Sequence, residues 1–203
     1  MKELKGFKKG VNLGGWLSQC DYSEERLNHF IEAPDFATIA SWGVDHVRIP
    51  FDYNIVQAED GSFIEDGFNR LKNAVELAKK NGLHIVLDLH KTKGFSFDAA
   101  HMESGFFDSE TLQAGFYALW EEMAKRFGND TESVAFELLN EITDQAFSAK
   151  WNEISAECIK RIRKLAPDIT ILLGSYWNNA PEAVKDLPAP ADDKVVYNMH
   201  CYD

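Results

Sequence analysis

Val134-Ala135-Phe136-Glu137-Leu138-Leu139-Asn140-Glu141-Ile142 reads as an apolar strand that closes in an amide and a carboxylate. Two polar groups ending a buried strand need a reason. In parallel α/β architectures the ligand site lies at the carboxyl ends of the strands, so Glu141 is a candidate catalytic group rather than a solvated surface charge.

Working outward, the same strand signal recurs at Phe7 to Asn12, Asp45 to Pro50, Leu83 to His90, Ile169 to Gly174 and Val195 to His200. Helical spacing lies between them. Pro34-Asp35 introduces a helix over Ala33 to Ser41, Phe68, Leu71, Val75 and Ala78 mark one over Gly67 to Asn81, and Ser109 caps one that runs to about Phe127. Phe147 to Leu165 makes another, and a short helix is expected near Pro181 to Lys185. Six strands joined by five connections of crossover length demand a parallel sheet with right-handed crossovers. The connection Lys91 to Asp108, with its glycines and four phenylalanines, exceeds ordinary loop length and is a functional-loop candidate.

Strand parity chooses between a doubly wound sheet and a (β/α)8 barrel. Val47 and Ile49 oppose His46 and Arg48; Ile85, Leu87 and Leu89 oppose His84, Val86, Asp88 and His90; Val134, Phe136 and Leu138 oppose Ala135, Glu137, Leu139 and Glu141; and Asn198, His200 and Tyr202 oppose Val195, Tyr197 and Met199. One face therefore meets helices and the other a partly polar interior, which favours the barrel. Asn140 breaks the scheme, since parity turns it outward.

The chain has 203 residues, 45% hydrophobic and 27% charged, as expected of one domain spanning residues 1–203. With 21 Lys plus Arg against 33 Asp plus Glu, a net charge of -12 sets the long-range field against nucleic acid and anionic membranes. Cys20, Cys158 and Cys201 lack metal-ligand or redox spacing and read as reduced thiols. The first residues carry no apolar leader and no segment approaches a membrane span, so the expectation is a cytoplasmic protein, or a secreted one if a leader was removed.

The strand ends collect Asn12, Arg48, His90, Asn140, Glu141, Trp177, His200 and Tyr202, with Trp16 just past the first. A carboxyl among amides, imidazoles, a guanidinium and aromatic faces suits glycoside cleavage, in which an acid protonates a leaving oxygen while tryptophans stack on sugar rings. Trp16 and Trp177 are the platform candidates. No HExxH or HxH motif supports a metal, so a metal-dependent deacetylase or hydrolase ranks behind. Arg48 and Glu137 equally suit a buried ion pair, and His46 and His84 read as satisfied interior histidines. Trp42, Trp120 and Trp151 fall in helical patterns and read as core or interface fillers. Lys160-Arg161-Arg163-Lys164 reads as a solvated helix face.

At Lys9-Gly10-Val11-Asn12-Leu13-Gly14-Gly15-Trp16, His46-Val47-Arg48-Ile49-Pro50, Leu87-Asp88-Leu89-His90, Phe136-Glu137-Leu138-Leu139-Asn140-Glu141 and His200-Cys201-Tyr202, the sequence resembles glycoside hydrolase family 5, retaining (β/α)8 glycosidases. The resemblance covers the whole chain. It implies that Glu141 is the general acid/base, that Asn140 bonds the sugar 2-hydroxyl, that Arg48 helps hold and ionise the nucleophile, and that His90, His200 and Tyr202 line the catalytic subsite. It further implies a β-1,4- or mixed-linked β-glucan substrate, an endo-β-glucanase without metal or organic cofactor, and a monomeric parent.

Two departures follow from the resemblance. The family pattern Asn-Glu-Pro has Ile142 at its third place here. The family's nucleophile is a second Glu ending strand seven, whereas this chain stops at Asp203, just after strand six. About six βα units and little hydrolase activity for these residues alone are therefore expected. The alternative is a non-catalytic glycan-binding or assembly module that needs a complementary chain.

Overall fold

A computed structural model describes residues 4–98 and 102–201. Six parallel strands form one sheet in sequential order: β1 (Gly10–Asn12), β2 (His46–Asp52), β3 (His84–Lys91), β4 (Val134–Glu137), β5 (Thr170–Leu173) and β6 (Val195–Tyr197). The crossovers carry α1 (Glu24–His29), α2 (Ala33–Ser41), α3 (Tyr53–Val56), α4 (Glu65–Lys80), α5 (Glu110–Phe127) and α6 (Ser148–Leu165), and Pro181–Asp186 is a 3-10 turn. Every strand lies beside its sequence neighbours, which is the winding of a (β/α)8 barrel rather than of an open sheet with a reversal in strand order. Among the described residues β1 and β6 are not paired to each other. None of the described helices is long and apolar enough to cross a membrane.

Parity holds through the strands. Val47, Ile49, Ile85, Leu87, Val134, Phe136 and Ile171 are buried in the layer between sheet and helices, while Arg48, Val86, Glu137, Leu172 and Asn198 face the interior cavity. Register then stacks the polar side chains: Asn12 pairs with Arg48 and Asp88 with Glu137. The helices take the apolar face through buried residues at helical spacing, among them Phe68, Leu71, Val75 and Ala78 on α4 and Trp120 and Met123 on α5.

Ser109 caps α5 by accepting the Leu112 amide, and Asn81 with Gly82 at φ 72° ends α4. Trp120 and Trp151 do belong to the core, where their indoles donate to the Leu138 and Gly174 carbonyls. Trp42 does not; it is 62% exposed at the end of α2. His46 and His84 are satisfied near the N-terminal ends of their strands, on the Asp45 carboxylate and the Glu132 carbonyl, with the Phe7 ring beside both. The long β3–α5 connection has an aromatic core of its own, in which Phe95, Phe106 and Phe107 are buried and Phe107 stacks on Phe147 at 4.2 Å.

Candidate active site

The site is built around one cation. Arg48, projecting inward from β2, donates Nε to Glu137 at 2.7 Å, Nη2 to the same carboxylate at 2.8 Å, Nη1 to Asn12 at 2.9 Å and Nη2 to Asn140 at 2.9 Å. It also lies 2.9 Å from the Asp88 carboxylate. A planar guanidinium presents five donors in a fixed fork, and here one fork binds side chains of β1, β3, β4 and the segment after β4 together. Two buried carboxylates share this one positive charge. Burial and the charge of Asp88 push the Glu137 carboxyl up, with Arg48 pulling the other way, while the two carboxylates raise Arg48 against the opposing effect of burial. The buried ion pair that the sequence allowed is therefore present, and together with the Asn12 and Asn140 amides it engages all three guanidinium nitrogens.

Glu141 lies beside this hub and is 5% exposed. His200 Nδ1 is 2.7 Å from its Oε1, and Asn178 Nδ2 donates to its Oε2 at 2.9 Å. The other imidazole nitrogen meets the Asn179 and Asn198 amides at 3.4 Å, and Asn198 donates to Glu137 at 2.7 Å. Amide donors at Nε2 put the imidazole proton on Nδ1, where it donates to the acid. Hydrogen bonds thus run from Asn12 through Arg48, Glu137 and Asn198 to His200 and Glu141.

Parity failed at Asn140 because β4 is shorter than its apolar pattern. Regular pairing stops at Glu137; Leu138 and Leu139 stay buried, Asn140 donates its amide to Leu89, and Glu141 takes φ 38°. That bend turns the Asn140 side chain inward to Arg48, and among the described residues its Nδ2 has no hydrogen-bond partner.

Of the sequence candidates, Asn12, Arg48, Asn140, Glu141 and His200 are brought into one connected set. The other four are not part of it. Trp16 is a correction: at 5% exposure it donates to the Leu27 carbonyl and packs edge-on to Phe36, because α1 and α2 close over it, and it presents no face to a sugar. His90 is 6% exposed, held between Asp88 at 2.6 Å and Gln19 at 3.2 Å, with the Phe97 ring edge-on at 4.8 Å, so both its ring nitrogens are engaged by protein. Tyr202 lies outside the described residues. Trp177 is 51% exposed, next in sequence to Asn178.

Asn178, Gln19 and Asn198 escaped the sequence reading as site residues. What places Asn178 is backbone geometry: Trp177, Asn178 and Asn179 follow β5 with φ of 50°, 57° and 59°, a left-handed run in which asparagine is among the few residues at ease. Gly174 makes the turn possible, since a Cβ there would stand 2.2 Å from the Asn179 amide.

The interior face opens into a cavity of about 440 Å³ lined by Asn12, Arg48, Glu137, Asn198 and His200 among others. A larger groove of about 930 Å³ lies on the outer layer between α4 and α5, away from the strand ends. Among the described residues no group of three or more His, Cys, Asp or Glu is placed to hold a metal.

Known proteins share this sequence and architecture. The family profile "Cellulase (glycosyl hydrolase family 5)" matches residues 6–203. The chain is 62% identical to Cellodextrinase A of Ruminococcus flavefaciens, covering 100% of this chain and 60% of that protein. It is 40% identical to Endoglucanase C of Acetivibrio thermocellus, covering 98% and 59%. Among solved structures, the cellulose synthase subunit Z of Clostridioides difficile aligns with a TM-score of 0.82 at 28% identity, over 97% of this chain and 62% of that one. Endoglucanase Cel5A of Thermotoga maritima aligns with a TM-score of 0.81 at 26% identity, over 98% and 61%. The chain thus spans about 60% of the length of the curated relatives it matches. A profile match over nearly every residue, backed by relatives at 62% and 40% identity and by the same strand winding, means that the chain belongs to glycosyl hydrolase family 5, the cellulase family.

Proposed function

We propose that these residues form the acid/base half of a retaining endo-β-glucanase that cleaves β-1,4- or mixed-linked β-glucan. The observation that carries the reading is the Glu141 carboxyl, buried in the bend that follows β4 and gripped by His200 on one oxygen and Asn178 on the other. In the first step Glu141 gives its proton to the glycosidic oxygen as the C1–O bond breaks and a nucleophilic carboxylate forms an ester at C1. In the second, Glu141 takes a proton from water as the water oxygen bonds C1 and the ester breaks.

The Asn140 side-chain amide, without a partner among the described residues, is a donor suited to a sugar hydroxyl, and the exposed Trp177 ring is suited to stacking on a sugar beyond the cleaved bond. Retention needs two carboxyls roughly 5 Å apart with room between them for C1. Asp88 and Glu137 are both bound to Arg48 and do not meet that need. The nucleophile is assigned to the part of the relatives' length that this chain does not span. Cellodextrinase A and Endoglucanase C are named for activities of this class.

The test joins to residue 203 the segment that follows the matched region in Cellodextrinase A and measures reducing sugar released from cellotetraose and mixed-linked β-glucan. Hydrolysis is expected from the joined chain and none from the 203-residue chain. Glu141→Gln should lower turnover of cellotetraose by about 10²–10⁴, the usual worth of general acid/base catalysis. Equal activity in that variant would refute the role of Glu141. Hydrolysis by the 203-residue chain that vanishes in Glu141→Gln would refute the assignment of the nucleophile.

A further inference from the structure

We propose that Asn178 is a positioning residue for the acid/base carboxyl, held in place by the left-handed turn that also carries the Trp177 ring. The inference rests on the reading of Glu141 as that acid.

Both oxygens of Glu141 are already engaged. Oε1 meets His200 at 2.7 Å, and Oε2 accepts from Asn178 Nδ2 at 2.9 Å. A carboxyl held by one partner can still rotate about its terminal torsion, whereas partners on both oxygens fix the plane in which the proton is presented. The amide contributes as a neutral donor that favours the ionised carboxylate, the form needed when water is to be deprotonated. It must also yield when a glycosidic oxygen approaches, and a neutral amide yields more readily than a cation would.

The backbone explains why an asparagine stands here. Trp177, Asn178 and Asn179 have φ of 50°, 57° and 59°, so the chain doubles back after β5 in a conformation that L-residues other than Asn and Asp rarely adopt. The turn is tied at both sides: the Asn178 amide donates to the Ile142 carbonyl at 2.9 Å, and the Asn179 carbonyl accepts from the His200 amide at 2.9 Å. Glu141 is the residue before Ile142, and His200 is its other partner. The turn therefore sets the acid, its imidazole partner and its amide partner in one frame. Asn179, fully buried, completes it by pointing its amide at His200 Nε2. Since Trp177 opens the same turn with its ring half exposed, a sugar stacked on that ring would sit on the unit that aims the acid.

The test compares Asn178→Gly, which keeps the left-handed turn and removes the amide, with Asn178→Asp, which keeps the turn and substitutes a carboxylate. The first readout is the titration of Glu141 in the 203-residue chain, followed by carboxyl carbon NMR with Glu141→Gln to assign the signal. Among the described residues the charged or titratable groups around it include His200, Arg48 on β2 and Glu137 on β4. Loss of one donor to the carboxylate should move its midpoint up by about 0.5–1 pH unit in Asn178→Gly, and further in Asp, where a like charge is added. The second readout is kcat/KM of the joined chain, which reports the steps up to departure of the leaving group and leaves out the later attack by water: Asn178→Gly should lose at least about tenfold more on cellotetraose than on a dinitrophenyl cellobioside, whose leaving group departs without a proton. A Glu141 midpoint that stays within about 0.2 pH unit overturns the inference alone. Equal losses on the two substrates do the same. A Glu141→Gln variant as active as its parent overturns the reading beneath it.

Discussion

Replacing Arg48 with methionine would leave two buried carboxylates facing each other without a cation. Asp88 and Glu137 are 0% and 1% exposed, and their only cationic side-chain partner among the ion pairs described is Arg48, apart from histidines that must be protonated to count. Removing one partner of a buried ion pair costs about 3–5 kcal/mol, because the remaining charge stays desolvated. Methionine fills much of the aliphatic stem, so packing adds little. For a chain of this length each kcal/mol moves the melting temperature by about 2–4 °C, giving a fall of roughly 10 °C at neutral pH.

The pH dependence carries the sharper test. Without Arg48 the pair can relieve repulsion only by binding protons, which sets the folded-state pKa of these carboxyls above the unfolded value. Their contribution to stability is then fully present below the unfolded carboxyl pKa of about 4 and is lost as pH rises through the folded one. The gap between wild type and Arg48→Met, followed by circular dichroism melting from pH 4 to 8, should therefore widen with pH. Arg48→Lys should fall between them with a flatter pH profile, since it restores the charge without the fork. A gap that is the same at pH 4.5 and 7.5 would show that water already screens the carboxylates, and the argument for a dry charge hub would fail.

Trp120→Phe leaves a gap of about 40 Å³ and orphans the Leu138 carbonyl, so about 2–4 kcal/mol of stability should be lost in urea melts, whereas Trp42→Phe on the surface should change it by less than about 0.5 kcal/mol. Ile142→Pro restores the more common family triplet but steers Glu141 toward extended backbone and away from its φ of 38°; hydrolysis by the joined chain should fall at least about tenfold, and full activity would mean that the left-handed acid is not required. Asp45 sits at a pKa of about 2, where burial is outweighed by the His46 hydrogen bond and the Lys9 and Lys8 amides. Its contribution is present above the unfolded value near 3.8 and lost as pH falls through 2, so Asp45→Asn should narrow its stability deficit below pH 4 in acid unfolding curves.

The barrel winding was legible because four strands shared one division of apolar and polar faces, and periodicity of two survives any tertiary context that keeps the strands. The hub was legible in part: Arg48 and Glu137 were expected as a pair, but Asp88 entered only through the register that sets it beside Glu137. Strand endings were not legible. Leu138 and Leu139 remain buried beyond β4, so hydrophobicity gives no sign of the bend that turns Asn140 inward. Trp16 misled for the opposite reason: a position past a strand end is usually open, but two helices of its own crossover cover it. Asn178 needed backbone dihedrals that no pattern of residue types states.

The Arg48 hub also dictates when the site comes into being. Its partners lie 36 residues away at Asn12, 89 at Glu137 and 92 at Asn140, and none of these bonds can close until β1, β2 and β4 are docked in register. Contacts of such long sequence range form after the local helix and strand pairings that make them possible. The charges therefore remain hydrated through most of the folding reaction and are dehydrated together near its end. Substitutions in the hub should chiefly hasten unfolding and leave the folding rate nearly unchanged, so the chain's route to its fold is free to ignore the chemistry that the finished fold supports.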